Sequence, residues 1–212
     1  RLPSVVDAMI RQGHVIGNHS WNHPRFSGMR LSKIKEQIVR TEAQIDLAYA
    51  RASTPRPIKV FRFPWGDKGA GTHPDGVIPP DAAVRVREIQ ALLRDTGFEQ
   101  PDYPGVELPR FHGRDISTDA DTWFTFDAME WSLLSKNHKH GIENLDAVLA
   151  RIDNYFREKR ASIKAREQGE IIIIHDFEAT RDTFIPILDR LIVNGARFMQ
   201  GSRVHLLAGH GM

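Results

Sequence analysis

Four short runs in this sequence hold residues that can do chemistry. The first is Gly17-Asn18-His19-Ser20-Trp21-Asn22-His23-Pro24, in which two imidazoles stand four residues apart. On a helical turn that spacing puts both rings on one face, where two nitrogens can converge on one divalent ion. The same spacing also arises on exposed helices that bind nothing. The second run, Arg62-Phe63-Pro64-Trp65-Gly66, places a cation before a Pro-Gly turn. The third, Asp115 to Trp123, contains Asp115, Asp119 and Asp121, which fit an acidic site and equally fit ordinary turn and cap roles. The fourth is Ile171-Ile172-Ile173-Ile174-His175-Asp176, an apolar run that delivers an imidazole to its end. With Cys 0, a metal would have to be held by His and carboxylates.

Positioning these residues takes alternating helices and strands. Val6, Met9 and Ile10 mark a short opening helix stopped by Gly13, and His14-Val15-Ile16 reads as a brief strand that ends just before His19. Ile34, Ile38, Ile45 and Ala48 mark an amphipathic helix broken by Pro55 and Pro57. Residues 58–63 alternate like a strand and deliver Pro64-Trp65-Gly66. Residues 66–81 read as a loop, followed by a helix bearing Val86, Ile89 and Leu93 with Gly97 at its end. A strand is expected around Val106 to Phe111, and a helix from near Ile142 carries Val148, Leu149, Ile152 and Phe156. The four consecutive Ile have the character of a strand buried on both faces. A last helix carries Phe184, Ile187, Leu188 and Leu191. Such alternation points to α/β architecture, in which catalytic residues gather at the C-terminal ends of strands.

Composition agrees with one soluble-type domain spanning 1–212: 212 residues, 41% hydrophobic and 26% charged. The 29 Lys and Arg are interleaved with 27 Asp and Glu, so a nucleic-acid partner has little electrostatic support. No stretch has the length and apolarity of a membrane span.

Taken together, the motifs resemble the metal-dependent polysaccharide deacetylase family, which shares the NodB homology domain and is also known as carbohydrate esterase family 4. The first run fits its His-Ser/Thr-x-x-His motif, Arg62 to Gly66 fits its Arg-x-Pro-x-Gly motif, and Ile173-Ile174-His175 stands where the family has Leu-x-His. The resemblance implies a distorted (β/α) barrel and hydrolytic removal of acetyl groups from an acetylated polysaccharide, of the chitin or peptidoglycan type. It implies a divalent metal, Zn²⁺ first, bound by His19 and His23, and His175 as general acid. It further implies that Arg62 pairs with a catalytic Asp, that the Trp65 N–H helps bind the oxyanion, that Ile173 lines the acetyl pocket and that Trp123 walls the sugar groove. Asp121, or Asp119 as second choice, would accept the ring N–H of His175, although the family has an Asp directly before the Trp and here Thr122 intervenes.

The family's first motif, an Asp-Asp pair serving as base and third metal ligand on the first barrel strand, has no counterpart in this sequence. The sequence is therefore expected to be an N-terminally truncated deacetylase with its first strand or strands missing, inactive as it stands. A glycan-binding module without catalysis, an O-acetyl-xylan esterase and a small-amide C–N hydrolase are the alternatives. The family's exported members point to a secreted, periplasmic or cell-surface setting, but the sequence itself does not fix the compartment.

Overall fold

The helices form where the apolar residues recur at helical spacing. The computed structural model describes residues 3–71, 78–103, 105–136, 139–161 and 168–199. Within them, α1 spans Pro3–Arg11, α2 Leu31–Ala52, α3 Pro80–Asp95, α4 Leu145–Ala161 and α5 Phe184–Val193. Each corresponds to a helix expected from the periodicity. The loop residues 72–77 and His73, His138, His205 and His210 lie outside the described residues.

The contact pattern divides the chain into two compact units, each with its own core. The first holds residues 3–103 and Leu108–Trp123. Its centre packs Ile34 and Ile38 of α2 and Ile89 and Leu93 of α3 around Phe26, Phe61, Phe63 and Phe98. The Phe61 and Phe63 rings meet edge to face at 5.0 Å, and Phe26 meets Phe63 in the same way at 5.5 Å, a favoured geometry for aromatic pairs. A second cluster joins Ile10 of α1 to Ile45, Ala48, Tyr49 and Ala52 of α2. α2 ends where Ser53 adopts a left-handed conformation (φ 51°), just before Pro55.

The second unit holds Gly105–Glu107 and Phe124–Met199. Here Val148 and Ile152 of α4 and Ile187 and Leu191 of α5 close over Phe126 and Ala128. Two short strands, β1 (Phe126–Asp127) and β2 (Ile172–Ile173), pair in parallel with Phe126 opposite Ile172 and Asp127 opposite Ile173.

The expected strands are mostly not formed, and the hydrogen bonds give the reason. The Ile16 N–H goes to the Tyr49 hydroxyl at 3.1 Å, so residues 14–16 join no ladder. Residues 58–63 keep a single parallel bridge, between Asn18 and Phe61. Near Phe111 the chain makes a tight antiparallel turn with Arg114 rather than a strand from Val106, with His112 and Gly113 both at positive φ (47° and 73°). The four Ile are each only partly buried, so the run is not enclosed on both faces. Ile172 and Ile174 pack on the core, which by the two-residue strand period puts Ile173 on the opposite face. The described residues are thus mixed helix and strand, with helix dominant.

Candidate active site

The segment 58–63 organises the first unit's site. The Asn18 N–H donates to the Val60 carbonyl at 2.8 Å, and the Arg62 N–H to the Asn18 carbonyl at 2.9 Å. On the other side, the Thr122 N–H donates to the Phe61 carbonyl at 2.8 Å. Three distant stretches therefore meet on one strand-like spine, bringing His19, Arg62 and Trp123 into one neighbourhood. Gly17 lets the bridge approach closely: a Cβ there would lie 2.6 Å from Val60 Cγ2 and 3.2 Å from its carbonyl oxygen.

Asn18 ties the histidine loop to α2. Buried to 1% exposure, it donates from Nδ2 to the Ile38 carbonyl and to Glu42 Oε1, both at 3.0 Å. Its Oδ1 accepts the Ser20 N–H at 2.9 Å. Gln37 Oε1 accepts the N–H groups of Trp21 and Asn22. The loop is not helical: Ser20 and His23 have positive φ (64° and 58°). The two imidazoles still converge, with ring centroids 4.8 Å apart, so the pairing expected from a helical turn is made by a bend instead.

His19 Nδ1 lies 2.9 Å from the Arg62 carbonyl oxygen. A carbonyl only accepts, so Nδ1 carries a proton, and in the neutral ring Nε2 is the nitrogen with the lone pair. A metal-binding imidazole needs this tautomer, held by this kind of outer hydrogen bond. Trp65, at φ 60°, donates from Nε1 to the His23 carbonyl at 3.0 Å, and its ring lies 4.9 Å from that of His23. Gly66 follows with φ 63°, and a Cβ there would come within 3.0 Å of the Trp123 ring. Trp123 also meets Phe111 edge to face at 5.0 Å and has Lys68 Nζ 5.0 Å from its ring centre.

The acidic run takes a different role from the one expected. Lys68, fully buried, bonds Asp119 at 2.9 Å and both oxygens of Asp121, at 2.9 and 2.7 Å. Gln90 Nε2 adds a bond to Asp121 at 2.6 Å, and Arg114 clamps Asp119 with two bonds of 2.8 and 2.6 Å. A buried ammonium left alone is strongly destabilising, so the two carboxylates are committed to it. Burial pushes the Asp121 carboxyl up, against the pull of Lys68 and Gln90. Burial also acts to raise Asp119, but the Arg114 fork and Lys68 outweigh it and hold that carboxyl low. Lys68 was not anticipated from sequence, because nothing local marks a lysine as buried.

The carboxylate that meets His175 is Glu130, not Asp121 or Asp119. Glu130 Oε1 lies 2.9 Å from His175 Nδ1 and accepts the His175 backbone N–H at 2.5 Å. Glu130 is completely buried, while the His175 side chain keeps 29% exposure. The carboxylate fixes Nδ1 as the proton-bearing nitrogen and leaves Nε2 to exchange a proton with a substrate. Trp131 stands 6.5 Å from the His175 ring and is held by its Nε1 on Asp127 Oδ2 at 3.1 Å. Phe177 stacks parallel on the other ring contact, 5.6 Å away. Donor atoms of Asp127, Glu130 and His175 all lie within 4.8 Å of one another. Ile173, opposite Asp127 in the β-pair, sits two residues before this imidazole. The sequence did carry the signal: Glu130-Trp131 is an acid directly before a tryptophan, which Asp121-Thr122-Trp123 is not.

Residues 1–75 match the family model described as polysaccharide deacetylase. Among relatives, a peptidoglycan-N-acetylglucosamine deacetylase of Bacillus cereus is 30% identical over 67 residues, 32% of this chain and 22% of that protein. An uncharacterised 30.6 kDa protein in the fumA 3′ region of Geobacillus stearothermophilus is 42% identical over 36 residues, 17% of this chain and 14% of the relative. The alignments thus span under a quarter of either relative. Together these likenesses support a polysaccharide deacetylase domain, and His19, His23, Arg62 and Trp65 all lie within the matched stretch.

Proposed function

We propose that this chain acts in the metal-dependent hydrolysis of acetyl groups from N-acetylated polysaccharide of the chitin or peptidoglycan type, on a distorted (β/α) barrel. The observation that carries the reading is the His19–His23 pair, whose rings lie 4.8 Å apart with the His19 Nδ1 proton directed to the Arg62 carbonyl. Two neutral imidazole nitrogens suit a divalent ion such as Zn²⁺, and His19 and His23 would hold it. Bound there, the ion supplies Lewis acidity toward an acyl oxygen and toward water.

The chain's own groups account for the rest of the chemistry apart from the base and the third metal ligand. Water adds to the acetyl carbon and the C–N bond breaks, leaving acetate and a free amine; the base that takes the water's proton would be an Asp of the family's first motif, which has no counterpart in this sequence. The Trp65 backbone N–H donates to the oxyanion that develops on the acyl oxygen. By the family resemblance His175, oriented by Glu130, is the acid that gives the departing nitrogen its proton from Nε2. Arg62 holds the His19 tautomer through its carbonyl, and its charge also acts on the Tyr103 phenol. The family resemblance assigns Ile173 to the acetyl side and Trp123 to the sugar side. Asp121 contributes through the Lys68 cluster that braces the Trp123 loop.

Acetate release by the full-length protein that carries this chain, from N-acetylated glycan oligomers, O-acetylated xylan and small amides, with and without added Zn²⁺, tests this reading. Zn²⁺-dependent release from the N-acetylated glycans is the expected result. Release from the small amides alone overturns it, and saturable glycan binding with no acetate from any substrate points to a binding module instead.

A further inference from the structure

Two exposed indoles stand beside the histidine pair, and each is covered by an arginine. Trp21, between His19 and His23 in the loop, is 42% exposed, with the Arg40 guanidinium 3.8 Å from its ring centre. Trp65, in ring contact with His23, is 61% exposed, with the Arg25 guanidinium 4.9 Å from its ring centre. Large exposed aromatic surface at the rim of a site marks a place where a ligand packs. Indole faces suit the flat apolar face of a pyranose.

The arginines add a second property. Arg51, Arg56, Arg114 and Arg190 are all engaged with carboxylates. Arg25 and Arg40 make no hydrogen bond or ion pair among the described residues, so their N–H forks are not committed to a protein carboxylate. The carboxylate that feels Arg40, Glu36, is bonded to Lys33 at 2.7 Å. A planar guanidinium stacked on an aromatic face can still bind a carboxylate through its edge.

We infer that Trp21 with Arg40 and Trp65 with Arg25 form two cation-backed aromatic platforms that select a carboxylate-bearing N-acetylated glycan over a neutral one. This deepens the proposed deacetylase function and rests on it for the glycan. The sugar rings pack on the indoles, and carboxylates carried on the glycan, as on lactyl or peptide substituents, meet the arginine forks. Neutral chitin-type chains use the indoles alone.

Calorimetric titration of the chain with two oligosaccharides of equal length, one neutral and one bearing lactyl carboxylates, tests the inference without requiring turnover. The acidic oligomer is expected to bind about tenfold tighter at low salt, an advantage that shrinks as salt screens the charges. Arg25→Gln with Arg40→Gln brings the ratio of the two affinities to about one, whereas Trp21→Ala weakens binding of both oligomers. Equal affinity of the unaltered chain for the two oligomers overturns the inference, as does a charge preference that survives the double arginine change. Circular dichroism of each variant separates lost binding from lost folding. Selective binding by this chain, with no acetate released from any glycan by the full-length protein, would retire the deacetylase reading and leave the selective surface standing.

Discussion

At the scale of single residues, the sharpest result is the pairing of His175 with Glu130. A buried carboxylate at 2.9 Å orients the imidazole, and only its charge and length matter to that task. Glu130→Gln keeps the shape and loses the charge, so in the full-length protein kcat for acetate release is expected to fall by about 10²-fold with KM little changed. Glu130→Asp restores part of the loss. His175→Ala is expected to lower kcat by at least as much, and a variant with unchanged kcat would remove His175 from the acid role. On the metal side, His23→Ala removes one of two imidazole donors, and equilibrium dialysis with Zn²⁺ is expected to show weakened binding. Asp121 belongs to another system, the Lys68 cluster, where its loss would leave an ammonium buried without enough counter-charge.

At the scale of elements, the site depends on how short segments are pinned to helices. Asn18 links the histidine loop to α2 through two hydrogen bonds, to Ile38 and Glu42, and braces the loop itself through a third, from the Ser20 N–H. Asn18→Ala leaves the Ser20 N–H and the Ile38 carbonyl without that partner, at a cost of about 1–3 kcal/mol, readable in chemical denaturation. In the second unit, Ile152 of α4 is wholly buried between Phe126 and α5. Ile152→Ala is expected to cost about 2–5 kcal/mol through lost burial and the cavity left behind. The helices carrying these residues were legible in sequence, because Ile34, Ile38, Val148 and Ile152 repeat at a period set by the backbone of one segment. The strands were not, because a strand exists only with a partner. The Ile16 N–H found a tyrosine hydroxyl instead, and Phe126 found Ile172 across a gap in sequence that periodicity does not span.

At the scale of the whole molecule, acid sensitivity follows from buried carboxylates. Asp67 accepts from the Ser27 N–H and hydroxyl and from the N–H groups of Gly69 and Gly71. Burial acts to raise its carboxyl, but these bonds outweigh it and hold the group below the usual aspartate value. A carboxyl lowered in the folded state contributes stability above its unfolded value, and loses it as pH falls through the folded one. Unfolding free energy of the first unit is therefore expected to decline below about pH 4, and Asp67→Asn to flatten that decline. An unchanged acid limb in the variant would assign it to other groups.

By itself, the sequence determined the helical faces, the two-histidine motif and the Arg62–Gly66 turn, because each is written in contiguous residues whose spacing the local backbone interprets. Tertiary structure decided which carboxylate meets which base. Glu130 and His175 are joined by the parallel register of β1 and β2, and Lys68 reaches Asp119 and Asp121 across more than 50 residues. Those choices depend on hydrogen-bond geometry and burial, which exist only once distant segments have packed together.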